Sequence, residues 1–428
     1  MGHAVFSAGG LAQVVRAGDS RKFKVDLKGD RDNIIEAASI NALAGGVNLS
    51  DFHRTRFRGK PCVSYNDYER ALVLRSVARH LKRRLRVRTP DRTKAVRGVI
   101  SSLLDRTPFT VIRCDIAAFY ESIPTSILRD NLVFDTASSG LVRGYLSQYF
   151  NSHCATPTGL PRGAGLSAIL AEIVIRPFDE EVRRIHGVYR YFRYADDIIV
   201  FTTGDATATL SKMRKLLPKG MCFNRSKTYP IPFTDGPQRA EEPKRPPKAF
   251  EYLGYMFTVD DVSAGKKSRS VSVTISPKKI KRMQTKMLLT FHDYTRNQDS
   301  NLLFDRISFI ASNYKIRRNG NVYHKGSNKI KSGVYYNYSL CGKYKITGSS
   351  ELIKSEPNVD NLKMLDGMLR SLINSSRSEF RQVLANQTSV QFRRRLASIC
   401  FAKGFTSKIL VRMTPERIGV LKRAWRNV

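Results

Sequence analysis

Residues 188–203 read VYRYFRYADDIIVFTT. Two runs rich in β-branched and aromatic residues meet at the adjacent acids Asp196 and Asp197, with no Gly or Pro inside either run. That pattern predicts a β-hairpin carrying both acids at its tip. Towards the N-terminus, residues 109–116, FTVIRCDI, form another β-branched run without Gly or Pro. This predicts a buried strand that ends in the acid Asp115. Between the two lies TGLPRGAGLSAILAEIVIRPFDEEVRRI, starting at Thr158, a Gly/Pro-rich loop that runs into an amphipathic helix. Together these segments predict an α+β domain built on an antiparallel sheet.

A strand-terminal acid facing a hairpin that presents two more suits phosphoryl transfer to a hydroxyl. That chemistry uses two divalent cations about 3.5–4 Å apart, one activating the attacking oxygen and one holding the leaving group. Hard cations of this kind need carboxylate oxygens on rigid backbone. Asp115, Asp196 and Asp197 are therefore the candidate catalytic and metal-ligating residues, for two Mg²⁺ ions or for Mn²⁺. An Asp-Asp pair alone also reads as an ordinary polar turn, so the flanking blocks decide.

Five blocks occur in order: CDIAAFYESI (114–123), GLPRGAGLSAILAEI (159–173), FRYADDIIVF (192–201), FNRSKT (223–228) and FEYLGYMF (250–257). The series, over about residues 80 to 260, resembles the reverse transcriptases. The resemblance implies a right-hand polymerase with fingers, palm and helical thumb. It assigns Asp115 and Asp196 to the shared metals, with Asp197 completing the cluster and the Ile116 carbonyl adding a ligand. Tyr120 takes the place of a bulky aromatic that excludes a ribose 2′-hydroxyl, which implies synthesis of DNA; the alternative is a core aromatic. Lys227 is placed beside the leaving pyrophosphate, work suited to a cation at developing charge. Tyr194, Arg162 and Gly163 fall among the substrate-binding positions, and Tyr252, Leu253 and Gly254 would pack on the primer backbone. Arg162 departs from the family, which has Gln there, and adds a fixed charge with a bidentate fork. Gly159, Gly163 and Gly165 would allow backbone approach to substrate, although helix entry alone explains one or two of them.

The 428 residues hold 74 Lys+Arg against 36 Asp+Glu, a formal net charge of +38, with a pI near 10.3. Such a field selects polyanions, nucleic acid first. A membrane surface is the rival, but the charge is spread along the chain rather than gathered in one amphipathic segment. Residues 82–97 carry eight Lys/Arg and one acid, Asp91. Six scattered cysteines form no CxxC or Cys/His spacing, which suggests reduced thiols in a cytoplasmic protein. No signal-like start or membrane-spanning apolar run is visible. His153 and His186 read as structural.

Residues 1 to about 60 are poorly informative beyond a helix near Asp32 to Leu43. The stretch 234–248 is Pro-rich and charged and reads as a loop. The expected organisation is an N-terminal extension (1–60), fingers and palm (61–260), thumb (261–350) and a basic helical C-terminal extension (351–428). Tyr335, Tyr336 and Tyr338 could stack on bases, but their alternation favours a half-buried strand. Within the family the chain most resembles bacterial defence-associated enzymes of the Abi-like and unknown-group classes, with retron enzymes as neighbours. The partners so implied are a structured non-coding RNA template, dNTPs and a DNA product, with no membrane and room for an oligomer. Template-independent or protein-primed synthesis is one alternative. A non-catalytic, maturase-like RNA-binding protein is the other.

Overall fold

The strand expected around residue 112 forms as Phe109–Asp115 (β3), and it lies inside a four-stranded sheet. Its partners are Val188–Tyr194 (β4), Asp197–Thr202 (β5) and Tyr229–Phe233 (β6). The strand order is β4-β5-β3-β6 and every pair is antiparallel. Pro230 and Pro232 both fall in β6, at the sheet edge, where a missing N–H costs no ladder bond. Ile112, Cys114, Ile198 and Val200 face a core shared with helices Gly165–Arg184 and Ala206–Leu216. On the other face, Phe109 packs against Phe201 and Phe233 at centroid distances of 5.4 and 5.1 Å.

The computed structural model describes all residues except 1, 17, 58, 155–158, 234–244, 261–267, 318–328, 347–351, 356 and 426–428. Most of the Pro-rich stretch expected to be a loop lies outside the described residues, as does Thr158. The chain divides into two compact units. The first comprises Met1–Ala95, Pro108–Thr234 and Arg317–Asn328; the second comprises Val96–Thr107, Asp235–Ile316 and Lys329–Val428.

In the first unit the expected N-terminal helix runs over Arg31–Leu43. Phe6, Leu11 and Val15, for which the sequence offered no reading, are buried in the same core as Leu72, Val77 and Leu81 of helix Tyr68–Arg84. Each large apolar side chain so buried contributes about 1.5–3 kcal/mol. The Ser39 hydroxyl donates to the Phe6 carbonyl (2.8 Å), and Tyr145 donates to the Ala42 carbonyl (2.8 Å). The hairpin of His53–Phe57 (β1) and Lys60–Ser64 (β2) also belongs to this unit. His153 is half-buried beside Phe52, Tyr65 and Tyr149, and this burial pushes its pKa down to about 4.

The second unit has its own antiparallel sheet, built from Lys248–Tyr252 (β7), Tyr255–Asp260 (β8), Ser270–Ile275 (β9), Gly342–Ile346 and Leu352–Lys354. Helices Pro277–Asn297, Ser300–Ala311 and Asp360–Asn374 contribute Phe291, Ile307 and Leu369 to its interior. The Trp425 indole N–H donates to the Thr290 hydroxyl and the Lys286 carbonyl, each at 3.1 Å. The tyrosine segment differs from the expected strand: strand Lys329–Gly333 stops before it, and residues 334–340 are turns. Tyr338 is buried and edge-packed on Tyr255 at 5.7 Å. Its spacing served packing between turns rather than a pleated edge.

Candidate active site

In the β3–β5 ladder Asp115 is the direct partner of Asp197, and Tyr194 pairs Asp197 across the hairpin. Directly opposed residues on antiparallel strands share a face, so Asp115 and Asp197 lie side by side. Asp196 falls in the two-residue loop between β4 and β5. The loop's first residue, Ala195, has φ of 53°, a left-handed conformation that matches the strand twist but costs a non-glycine residue about 1–2 kcal/mol. The Ile116 N–H donates to the Asp196 carbonyl at 3.0 Å, tying the tip to the strand that carries Asp115. Ile116 also bridges Phe223. The two bonds of that bridge come from neighbours, Ala117 N–H to Cys222 O (2.9 Å) and Asn224 N–H to Asp115 O (2.7 Å). The carbonyl of Ile116 therefore stays out of the bridge.

Three carboxylates in one half-buried place resist ionising together. Burial, then the charges of Asp196 and Asp115, push Asp197 up to about 6. Burial first and Asp115 next raise Asp196. Lys227 comes from a single turn, Arg225–Lys227, capped by Asn224, whose side chain accepts from the Ser226 N–H at 3.1 Å. Its ammonium lies 3.1 and 3.2 Å from the two Asp115 oxygens. The lysine side chain is 50% exposed, so this pair is weak and easily exchanged.

Among the described residues no group of three or more His, Cys, Asp or Glu side chains forms a ready-made metal cage. Mg²⁺ in any case is held by one or two carboxylates together with waters and substrate phosphates rather than by an all-protein shell. The donor set, carboxylates on rigid strands with raised affinity for positive charge, fits such an ion in type.

The bidentate fork expected at Arg162 has a partner within the chain. Its guanidinium binds Glu121 through two bonds of 2.8 and 3.1 Å and lies 5.1 Å over the Tyr120 ring. Its carbonyl accepts from the Val63 N–H at 2.7 Å. Tyr120 is half-buried in this stack, and burial raises its pKa. Gly163 has φ of 95°, and a Cβ there would come within 2.3 Å of the Val63 carbonyl. Close approach of β2 thus demands the glycine. Tyr194 ends β4 half-buried. Tyr252, Leu253 and Gly254 lie in the second unit, where Leu253 (φ 48°) and Gly254 (φ 78°) form a primed two-residue turn between β7 and β8. The Tyr252 side chain is buried, so the turn offers Leu253 and Gly254 at its surface.

Two residues escaped sequence reasoning. Glu121 neutralises Arg162. Arg193, on β4 and 9% exposed, binds Glu172 (2.6 and 3.1 Å) and Asp179 (both bonds 2.8 Å) on helix Gly165–Arg184. It also donates to the Ala195 carbonyl at 3.2 Å. The hairpin tip is thereby clamped to the helix. The acids at 172 and 179, two helical turns apart on one face, are the signal that could have suggested an inward-facing cation.

Residues 54–257 match the family model described as reverse transcriptase (RNA-dependent DNA polymerase). Two solved structures are similar at low level, each with a TM-score of 0.34. Apo telomerase from Candida tropicalis, truncated of its C-terminal domain, is 13% identical over 60% of this chain and 50% of its own. Telomerase from Candida albicans with a fragment of telomeric RNA is 12% identical over 82% and 53%. A curated queuine tRNA-ribosyltransferase from Mesorhizobium japonicum is 34% identical over 84 residues, 19% of this chain and 22% of that protein. The chain thus spans about a fifth of that curated relative and about half of each telomerase chain.

Proposed function

Residues 54–257 belong to the reverse transcriptase family, and from that premise we propose that the chain is an RNA-directed DNA polymerase with Asp115, Asp196 and Asp197 at its active centre. The observation that carries this reading is the ladder register that sets Asp115 against Asp197, with Asp196 in the turn held by the Ile116 N–H. Two divalent ions, Mg²⁺ or Mn²⁺, would be held by these carboxylates and the Ile116 carbonyl and would activate the primer hydroxyl and neutralise the triphosphate. Lys227 leaves Asp115 and moves its ammonium, and a proton, to the departing pyrophosphate. The Tyr120 ring, braced under Arg162, excludes a ribose 2′-hydroxyl and so selects dNTPs. Leu253 and Gly254 hold the primer backbone.

In this reading the chain is a right hand: an N-terminal extension to residue 60, fingers and palm over 61–260, thumb over 261–350 and a basic extension over 351–428. The net charge of +38 supports an RNA template and DNA product as partners. A dedicated non-coding RNA copied in antiphage defence is the proposed cellular role, resting on the resemblance of its motif blocks. No helix among the described residues is long and apolar enough to cross a membrane.

The test purifies the protein from its host with bound nucleic acid and supplies Mg²⁺ and labelled dNTPs. Incorporation that RNase abolishes, and that Asp196→Ala with Asp197→Ala abolishes, supports the reading. Synthesis that survives RNase points to untemplated or protein-primed extension. No synthesis at all points to a non-catalytic RNA-binding protein.

A further inference from the structure

The backbone of Tyr120 is tied down, since the Leu160 N–H donates to its carbonyl at 2.7 Å, but a tyrosine on a fixed backbone still turns about its side-chain bonds. Two neighbours limit that turning. Phe119, itself buried, meets the ring edge-on at a centroid distance of 5.4 Å, and the Arg162 guanidinium lies 5.1 Å over it. Phe119 is held by the core, whereas Arg162 is a long side chain that keeps one place only where its fork is bound. Glu121, the residue after Tyr120, binds it: Arg162 Nε and Nη2 donate to the two Glu121 oxygens at 2.8 and 3.1 Å. The segments that carry the pair are joined through backbone as well. The Gly159 N–H donates to the Ile123 carbonyl at 2.8 Å, and a Cβ on Gly159 would stand 3.4 Å from the Glu121 carbonyl. The bond from Arg162 holds the Glu121 carboxyl below the usual carboxylate range, and the charge of Lys60 adds to it. Freed of Glu121, the guanidinium would face Lys60 without a counter-charge and turn out to solvent.

We propose that Glu121 is a positioning residue for sugar selection: by gripping Arg162 it keeps the guanidinium over Tyr120, and so keeps the ring where a ribose 2′-hydroxyl would stand. Glu121 touches no substrate in this scheme and acts only through Arg162. The Gln that the family carries in place of Arg162 is neutral and calls for no acid partner, so this brace belongs to the present chain rather than to the family's pattern. The proposal rests on the polymerase reading given above.

The experiment measures kcat and KM for incorporation of one dNTP and of the matching NTP by the full chain with Mg²⁺ on a primer–template. Compared are the parent, Glu121→Gln, which keeps the shape and removes the charge, Arg162→Ala, and the two replacements together. The Arg162 and Glu121 side chains are 28% and 35% exposed, so their replacement leaves the core intact. Glu121→Gln should lower the preference for dNTP over NTP by about tenfold, the worth of one charge-assisted bond, through a lower KM for NTP and with kcat for dNTP little changed. Glu121→Asp, which keeps the charge, should recover part of the preference. Once Arg162→Ala is in place, Glu121→Gln should add nothing, because the acid works through the arginine. An unchanged preference in Glu121→Gln, an equal loss of rate for dNTP and NTP, or additive effects of the two replacements would overturn the proposal and leave the polymerase reading standing. A parent that incorporates neither nucleotide would overturn that reading and this proposal with it.

Discussion

At Asp197 the electrostatics of the site become measurable. An acid raised from 3.8 to about 6 in the folded chain binds more protons there than in the unfolded chain between those values. Stability of the protein in EDTA therefore rises as pH falls through about 6 towards 4, and the destabilisation is fully present above 6. Asp197→Asn should melt higher than the parent at pH 7.5 and no higher at pH 4, as followed by thermal denaturation; equal shifts at both pH values would refute the assignment. Mg²⁺ reverses the sign, raising the parent's melting temperature at pH 7.5 and doing so much less for Asp115→Asn. Lys227→Ala should slow single-nucleotide incorporation by about 10²–10⁴-fold, the usual contribution of a placed proton donor, with primer–template affinity little changed. A loss of affinity with an unchanged rate would instead make Lys227 a phosphate contact.

Elements hold these residues in place through Arg193. Replacing it with Met leaves the half-buried Glu172 and Asp179 without their cation, and breaking such a set costs up to about 3–5 kcal/mol, the range for a fully buried pair; urea unfolding of the variant measures it. The hairpin itself was legible because alternation at period two, β-branched content and an acid-tipped loop all agree. So was helix Gly165–Arg184, whose apolar positions recur at helical spacing after a Gly/Pro loop. Arg193 was not legible, because a charged residue in a strand reads as solvent-facing until the helix opposite is known to carry two acids. The partner of Arg162 was hidden for a related reason: Glu121, close in space and silent in sequence, takes its fork. The N-terminal helices hid because Phe6, Leu11 and Val15 stand among Gly and Ala without clear periodicity. The Leu253-Gly254 turn is a local conflict between propensity and structure, a bulky residue at φ of 48°. Leu253→Asn should add about 1 kcal/mol of stability. If the turn touches the primer, the same variant should also raise the KM for primer–template.

For the molecule as a whole, two separate cores are interleaved along one chain: Val96–Thr107 belongs with residues beyond 235, although β3 follows it directly. The Trp425 indole completes the interior around Thr290, 135 residues earlier. A ribosome adding about 5–20 residues each second needs on the order of ten seconds to cover that distance. During that interval the newborn helix Pro277–Asn297 must wait with Thr290 uncovered, on a cationic chain emerging beside ribosomal RNA. Stalled nascent chains ending near residue 400 should therefore lose this helix to limited proteolysis, whereas chains released after residue 425 should protect it. The order of translation, rather than the strength of any one contact, then decides when the second unit becomes able to resist a protease.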